Sequence, residues 1–137
     1  MKVLVCGSRY WTDQAAIYKR LALLPFPTMI IHGAARGADV LAGDAANRLG
    51  FQIIAVPAEW ELHGKSAGII RNRKMLDMGP ELVIAFHMDL SKSRGTVDTV
   101  REARRRGIRT EVIGDPVEEQ KCYCGSSVPC ADCGAGC

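Results

Sequence analysis

Thr28-Met29-Ile30-Ile31-His32-Gly33-Ala34-Ala35-Arg36-Gly37-Ala38-Asp39 moves from an apolar, β-branched run, through a loop in which two glycines bracket an arginine, to the start of a segment with helical spacing. Thr28–Ile31 is short and apolar without alternation, which predicts a strand covered on both faces. Ala38–Leu49 repeats its apolar residues at helical spacing and is followed by Gly50, where a helix end favours a left-handed residue. A buried strand, a glycine loop and a helix in that order form half of a βαβ unit.

The same alternation extends in both directions. Lys2–Cys6, Gln52–Val56, Leu82–Phe86 and Ile108–Ile113 read as further buried strands. Asp13–Leu24, Ser66–Met78 and Thr96–Arg106 carry helical spacing, the first behind a Thr12/Asp13 cap signal, and Gly79 and Gly107 lie just past the last two. The expected fold is therefore α/β: a Rossmann-like, doubly wound parallel sheet of five strands with right-handed crossovers. One domain is expected over residues 1–116, with a separate tail over 117–137.

Eighteen Lys+Arg against fifteen Asp+Glu leave a net charge of +3, well short of the basic footprint of a dedicated nucleic-acid binder. The arginines at 101, 104, 105, 106 and 109 read as a solvated helix face, with a nucleic-acid patch as the less favoured alternative. No run reaches the ~18 apolar residues of a membrane span, and the chain opens directly into a strand. A cytoplasmic protein without membrane association is expected.

Open parallel sheets bind ligands outside the carboxyl ends of their strands, so the loops there are the candidate site. Gly7-Ser8-Arg9 offers close backbone approach, a hydroxyl and a guanidinium, or else an ordinary turn. His32, Gly33, Arg36, Gly37, Ala38 and Asp39 form a loop that can present backbone N–H groups and a helix dipole to an anion. Asp39 reads either as a helix cap or as an acceptor for ligand, and His32 as a structural strand-end residue. Trp60 reads as a base platform or as packing. In the following helix, Asn72 and Arg73 are expected to flank the direction of Ile69 and Leu76, whereas Arg71 and Lys74 point elsewhere. Ser93, Gly95 and Thr96 supply hydroxyls and free N–H groups for a phosphate, with Thr96 as a plain N-cap in the alternative.

Gly7-Ser8-Arg9, His32-Gly-x-Ala-x-Gly-Ala-Asp39, the Trp60/Gly64/Ala67-Gly68 stretch, Arg71-Asn72-x-x-Met75 and Ser93-x-Gly95-Thr96 together resemble the YspA-like branch of the SLOG superfamily. That superfamily also holds the Lonely Guy phosphoribohydrolases and the DNA-processing protein A group. The resemblance spans roughly residues 1–114. It implies a Rossmann-like domain, homo-oligomerisation, and binding of a nucleotide or nucleotide-derived small molecule at these loops. Lonely Guy enzymes carry an Arg-Lys pair matched by Arg73-Lys74 and a Gly-x-Gly-Thr loop matched loosely by Arg94-Gly95-Thr96. Their acidic residue falls where Thr99 stands, with Asp98 one residue early. Binding is therefore the first expectation. An N-glycosidic phosphoribohydrolase using Arg73 with Glu59 or Asp98 is the alternative, and a nucleic-acid-associated module the third.

Of six cysteines, five lie in the last 16 residues. Cys122-x-Cys124 and Cys130-x-x-Cys133 offer four thiolates to a structural zinc, against the alternative of a reduced, unordered tail. The core itself requires no cofactor.

Overall fold

The structure, a computed structural model, describes residues 1–87 and 94–114. The expected cysteine ligands, Ser93 and the whole 117–137 tail lie outside the described residues.

Five strands, β1 (Lys2–Gly7), β2 (Met29–His32), β3 (Gln52–Ala55), β4 (Leu82–Phe86) and β5 (Arg109–Ile113), form one sheet in the order β3-β2-β1-β4-β5. Every pairing is parallel. The helices are α1 (Gln14–Leu21), α2 (Ala38–Arg48), the short α3 (Trp60–His63), α4 (Ala67–Asp77) and α5 (Arg94–Arg105), with a 3₁₀ turn at Gly64–Ser66 joining α3 to α4. None of the described helices is long and apolar enough to cross a membrane.

Strand alternation sorts the core into two layers. Val3 and Val5 of β1 and Leu82, Ile84 and Phe86 of β4 meet Ile17 and Leu21 of α1 and the alanines 38, 42, 45 and 46 of α2. Their neighbours Leu4, Cys6, Val83 and Ala85 face Met75 and Leu76 of α4 and Val100 and Ala103 of α5 on the other side. The alanine stripe on α2 lets that helix lie close to the sheet.

Local signals set most boundaries. The Asp13 carboxylate accepts the N–H of Ala16 at 3.0 Å as the N-cap of α1. Gly50, Gly79 and Gly107, all with φ between 75° and 77°, end α2, α4 and α5 as expected. Two boundaries differ from expectation by more than one residue. Helix α1 stops at Leu21 instead of Leu24, because Pro25 disfavours helical backbone just before it. Helix α5 begins at Arg94, which puts Thr96 inside the first turn and makes it a buried residue of that helix; it is not the N-cap.

The connections β1–α1–β2–α2–β3 run outward on one side of the sheet. After β3 the chain crosses β2 and β1 to place β4 beside β1, and the remaining helices cover the opposite face. The chain leaves β1 for α1 on one face and, after β4, continues in α5 on the other, so a crevice opens at the carboxyl ends of these neighbouring strands.

Candidate functional site

That crevice is a cleft of about 730 Å³. Its floor is the carboxyl end of β1 and the start of the loop beyond it, and its walls come from α2, α4 and α5. Of the residues expected at the site, Gly7, Ser8, Arg9, Asp39, Asn72, Gly95 and Thr96 line it.

The floor depends on close backbone approach. A side chain at Gly7 would run into the carbonyl of Phe86 and come within 2.8 Å of Ala38 Cβ. The amide of Ser8 donates to that same Phe86 carbonyl at 2.9 Å, and the Ser8 carbonyl accepts from Trp11 at 3.2 Å and from Ala38 at 3.0 Å. Ser8 Oγ accepts the N–H of Tyr10 at 3.0 Å. This wiring holds the turn so that Trp11 is buried against Phe86, ring centroids 5.6 Å apart, while Tyr10 stands 80% exposed at the cleft rim.

The glycine loop after β2 already holds an anion, the side chain of Asp39. The second residue of α2, Asp39 reaches back so that its Oδ2 accepts the N–H groups of Gly33 at 2.8 Å and Ala35 at 3.3 Å. The Ala38 amide is committed to Ser8. Asp39 is thus neither a conventional N-cap, a position held by Gly37, nor a free surface carboxylate; it is buried at the cleft wall. Burial raises its pKa from 3.8 to about 6, partly offset by the Ala35 N–H, the Arg71 charge and the Gly33 N–H. The same burial, reinforced by Asp39, pushes the Cys6 thiol well up, so that it stays protonated.

Arg71 lies opposite Asp39. Its Nη1 donates to the Gly33 carbonyl at 2.6 Å and its Nε to Asn72 Oδ1 at 2.9 Å, while Asn72 Nδ2 donates to the Gly95 carbonyl at 3.4 Å. One chain of bonds therefore ties the β2 loop, α4 and the first turn of α5 around the cleft. Arg71 lines the cleft, and its Nη2 has no hydrogen-bond partner among the described residues.

This corrects the expectation that Arg71 points elsewhere while Arg73 serves the site. The buried arc of α4 runs through Ala67, Asn72, Met75 and Leu76, and Ile69 is exposed. Arg71 falls on the 67–71–75 line, one turn from each of two buried residues. Arg73 lies outside the cleft lining, with its guanidinium 3.2 Å from Asp98 and 3.6 Å from Glu102 of α5. The helical spacing of Arg71 from Met75 was the available signal.

The remaining expected residues lie behind or away from the cleft. His32 is buried, its Nδ1 accepts the N–H of Ala34 at 3.0 Å, and burial lowers its pKa, so the neutral ring carries its proton on Nε2. Gly33 is packed against Arg71 and Asp39. Gly37, at φ 75°, lies where a side chain would strike the Ser8 carbonyl. Arg36, Glu59, Trp60 and Gly64 are exposed and line no part of the cleft, and Glu59 faces His63 at 3.9 Å. Residues not anticipated at the site include Cys6, Tyr10, Thr99, His87 and Arg94. Within the basic cluster of α5, Arg105 pairs with Glu102 and Arg106 with both Glu102 and Asp77, so much of that charge is compensated inside the molecule. Among the described residues no His, Cys, Asp and Glu side chains gather in a group able to hold a metal ion.

Fold and cleft define a Rossmann-like α/β protein whose polar crevice sits at the switch point of a parallel sheet. The model of the YspA, cpYpsA-related SLOG family matches residues 1–63, which includes the loops after β1 and β2. The Gene 61 protein of Mycobacterium phage D29 is 37% identical over 123 residues, covering 83% of this chain and 97% of that protein. The chain belongs to the YspA-related SLOG family. The X-ray structure of DNA processing protein A from Streptococcus pneumoniae shares the fold, with a TM-score of 0.53 and 19% identity over 82% of this chain. The present chain spans 59% of that structure.

Proposed function

We propose that the cleft binds an anionic small molecule of the nucleotide class. The observation that carries this reading is Arg71, a cleft-lining guanidinium held by Gly33 and Asn72 beside the first turn of α5. The first N–H groups of a helix have no partner within it, and its dipole favours negative charge there. A guanidinium beside such a turn suits a phosphate. The cleft's volume is on the scale of small-ligand pockets, and SLOG membership agrees with a ligand-binding module. In this reading Arg71 takes the role first expected of Arg73, Arg9 and Arg94 add charge at the rim, and Tyr10 replaces Trp60 as the aromatic surface. Calorimetric titration with a panel of nucleoside phosphates, ADP-ribose and cyclic nucleotides tests it. Binding that Arg71→Ala weakens about tenfold or more is expected, and silence across the panel overturns the reading.

The hydrolytic alternative gains one specific support. Asp39, with its pKa pushed up to about 6, exchanges its proton near neutrality and lines the cleft, as a general acid or base must. Glu59 and Asp98, the carboxylates first considered, do not line it. Release of free base from a nucleoside 5′-monophosphate, lost in Asp39→Asn, distinguishes turnover from binding.

A further inference from the structure

We propose that Asp39 reads a hydroxyl group of the ligand, so that the cleft selects a phosphorylated ribose over its deoxy counterparts. This inference rests on the nucleotide reading above and specifies which part of such a ligand goes where.

The Asp39 carboxylate is 6% exposed and belongs to the cleft wall. Its Oδ2 takes both backbone N–H groups, and Oδ1 has no hydrogen-bond partner among the described residues. An ionised carboxylate only accepts hydrogen bonds, and an acceptor that a ligand covers without offering it a donor is left unpaired at a cost. What docks against Oδ1 must therefore donate. A phosphate is excluded from that spot by like charge, although a glycine loop at a helix start would ordinarily attract one. The loop after β2 gives the N–H groups of Gly33 and Ala35 to Asp39, which favours Arg71 and the first turn of α5 as the place of a ligand anion.

The spacing of the two demands indicates a sugar. Arg71 and Asp39 both crowd Gly33: a Cβ there would lie 2.7 Å from Arg71 Cζ and 2.9 Å from Asp39 Oδ2. Acceptor and cation thus stand close together, without a hydrogen bond between them among the described residues. A ligand that satisfies both needs a donor and an anion only a few bonds apart. The hydroxyls and 5′-phosphate of one ribose meet that requirement. The exocyclic amine of a base, on the far side of the glycosidic bond, does not. A site built to hydrogen-bond a hydroxyl discriminates strongly against an analogue lacking it, because the site's own polar group is left unpaired.

Titration of the full chain with adenosine 5′-monophosphate, 2′,3′-dideoxyadenosine 5′-monophosphate and inorganic phosphate tests the inference. The wild type is expected to bind the ribose form about tenfold or more tightly than the dideoxy form. Asp39→Asn keeps an oxygen for Gly33 and Ala35 and replaces the charged acceptor by an uncharged amide donor, which a hydroxyl can meet only as acceptor, so it is expected to cut the preference to about threefold or less. Thermal melting confirms that the variant is folded, and Asp39→Ser, which withdraws the acceptor, is expected to lose the preference as well. Equal binding of both nucleotides by the wild type overturns this inference and leaves the nucleotide reading standing. A preference that survives in Asp39→Asn and Asp39→Ser overturns it too. Silence of all three probes overturns both.

Discussion

Arg71 Nη1 donates to the carbonyl oxygen of Gly33 at 2.6 Å, fastening α4 to the loop after β2 across 38 positions of sequence. The bond uses one nitrogen of the guanidinium and leaves Nη2 without a hydrogen-bond partner among the described residues. Replacing Arg71 by alanine removes the cleft's best-held cation and also leaves the Gly33 carbonyl without its donor. A hydrogen bond to a charged group contributes ~1.5–3 kcal/mol, so anion affinity is expected to fall about tenfold to a hundredfold. Arg71→Lys is expected to recover little, since one ammonium cannot reproduce a fork held at both Gly33 and Asn72. Titration of the two variants with the tightest-binding nucleotide checks this, and full activity in Arg71→Lys contradicts the geometric role.

Asp39 gives the fold an unusual pH response. Its pKa is raised from 3.8 to about 6, so the native state holds the proton more tightly than the unfolded chain. Across that window unfolding releases a proton, and stability falls as pH rises; the penalty is complete above pH ~6 and absent below ~4. A shift of this size corresponds to about 2–3 kcal/mol, as an order of magnitude for a buried group. Asp39→Asn removes the ionisation, so at pH 7.5 it is expected to be more stable than the wild type by about 1–3 kcal/mol, with the difference shrinking to about a third of that at pH 4.5. Urea denaturation at the two pH values measures it. Lower stability of the variant at both pH values means that the charged contacts with Gly33, Ala35 and Arg71 outweigh the cost of burial. The carboxylates of Glu102 and Glu111 are shifted the other way, by arginine partners, and their contributions are lost on acidification below pH ~4.5, outside most of this window.

Gly7 sets how closely β1 and β4 approach the start of α2. A methyl group there would overlap the Phe86 carbonyl and press on Ala38, both parts of rigid elements that cannot swing aside. Gly7→Ala is expected to cost about 2–3 kcal/mol or more and to open the floor of the cleft. Gly95, with nothing near the place of a Cβ, is the control: Gly95→Ala is expected to melt within a few degrees of the wild type. A comparable loss of Tm in both variants contradicts the steric account.

The fold is legible in the sequence because β1, β2 and β4 are apolar runs and because Gly50, Gly79 and Gly107 mark helix ends; β3 and β5, expected to be buried, are the edge strands and are exposed or half-buried. The site was legible only in outline. Gly7, Ser8, Arg9, Asp39, Gly95 and Thr96 follow from their places in or just past the strand-end loops, and Asn72 from its direction on α4. Arg71 was not legible, since Ile69 and Ile70 suggest a buried face on the wrong side of α4; both are exposed, and the helix turns Ala67 and Met75 inward instead. What Asp39 does was not legible either. Its bonds to Gly33 and Ala35 depend on the loop folding back over the helix start, through Ala34 at φ 59°, a conformation no spacing rule assigns to alanine.

Arg73 separates the two arginines of α4 experimentally. Its ion pairs with Asp98 and Glu102 staple α4 to α5 at a partly exposed surface, where such pairs contribute roughly 0–1 kcal/mol. Arg73→Ala is therefore expected to lower stability by no more than about 1 kcal/mol and to leave nucleotide affinity within about twofold, in contrast to Arg71→Ala. A double-mutant cycle with Asp98→Ala is expected to return a coupling of a few tenths of a kcal/mol. A large affinity loss in Arg73→Ala, with stability unchanged, would move the anion site to the outer face of α4 and restore Arg73 and Asp98 as the working pair.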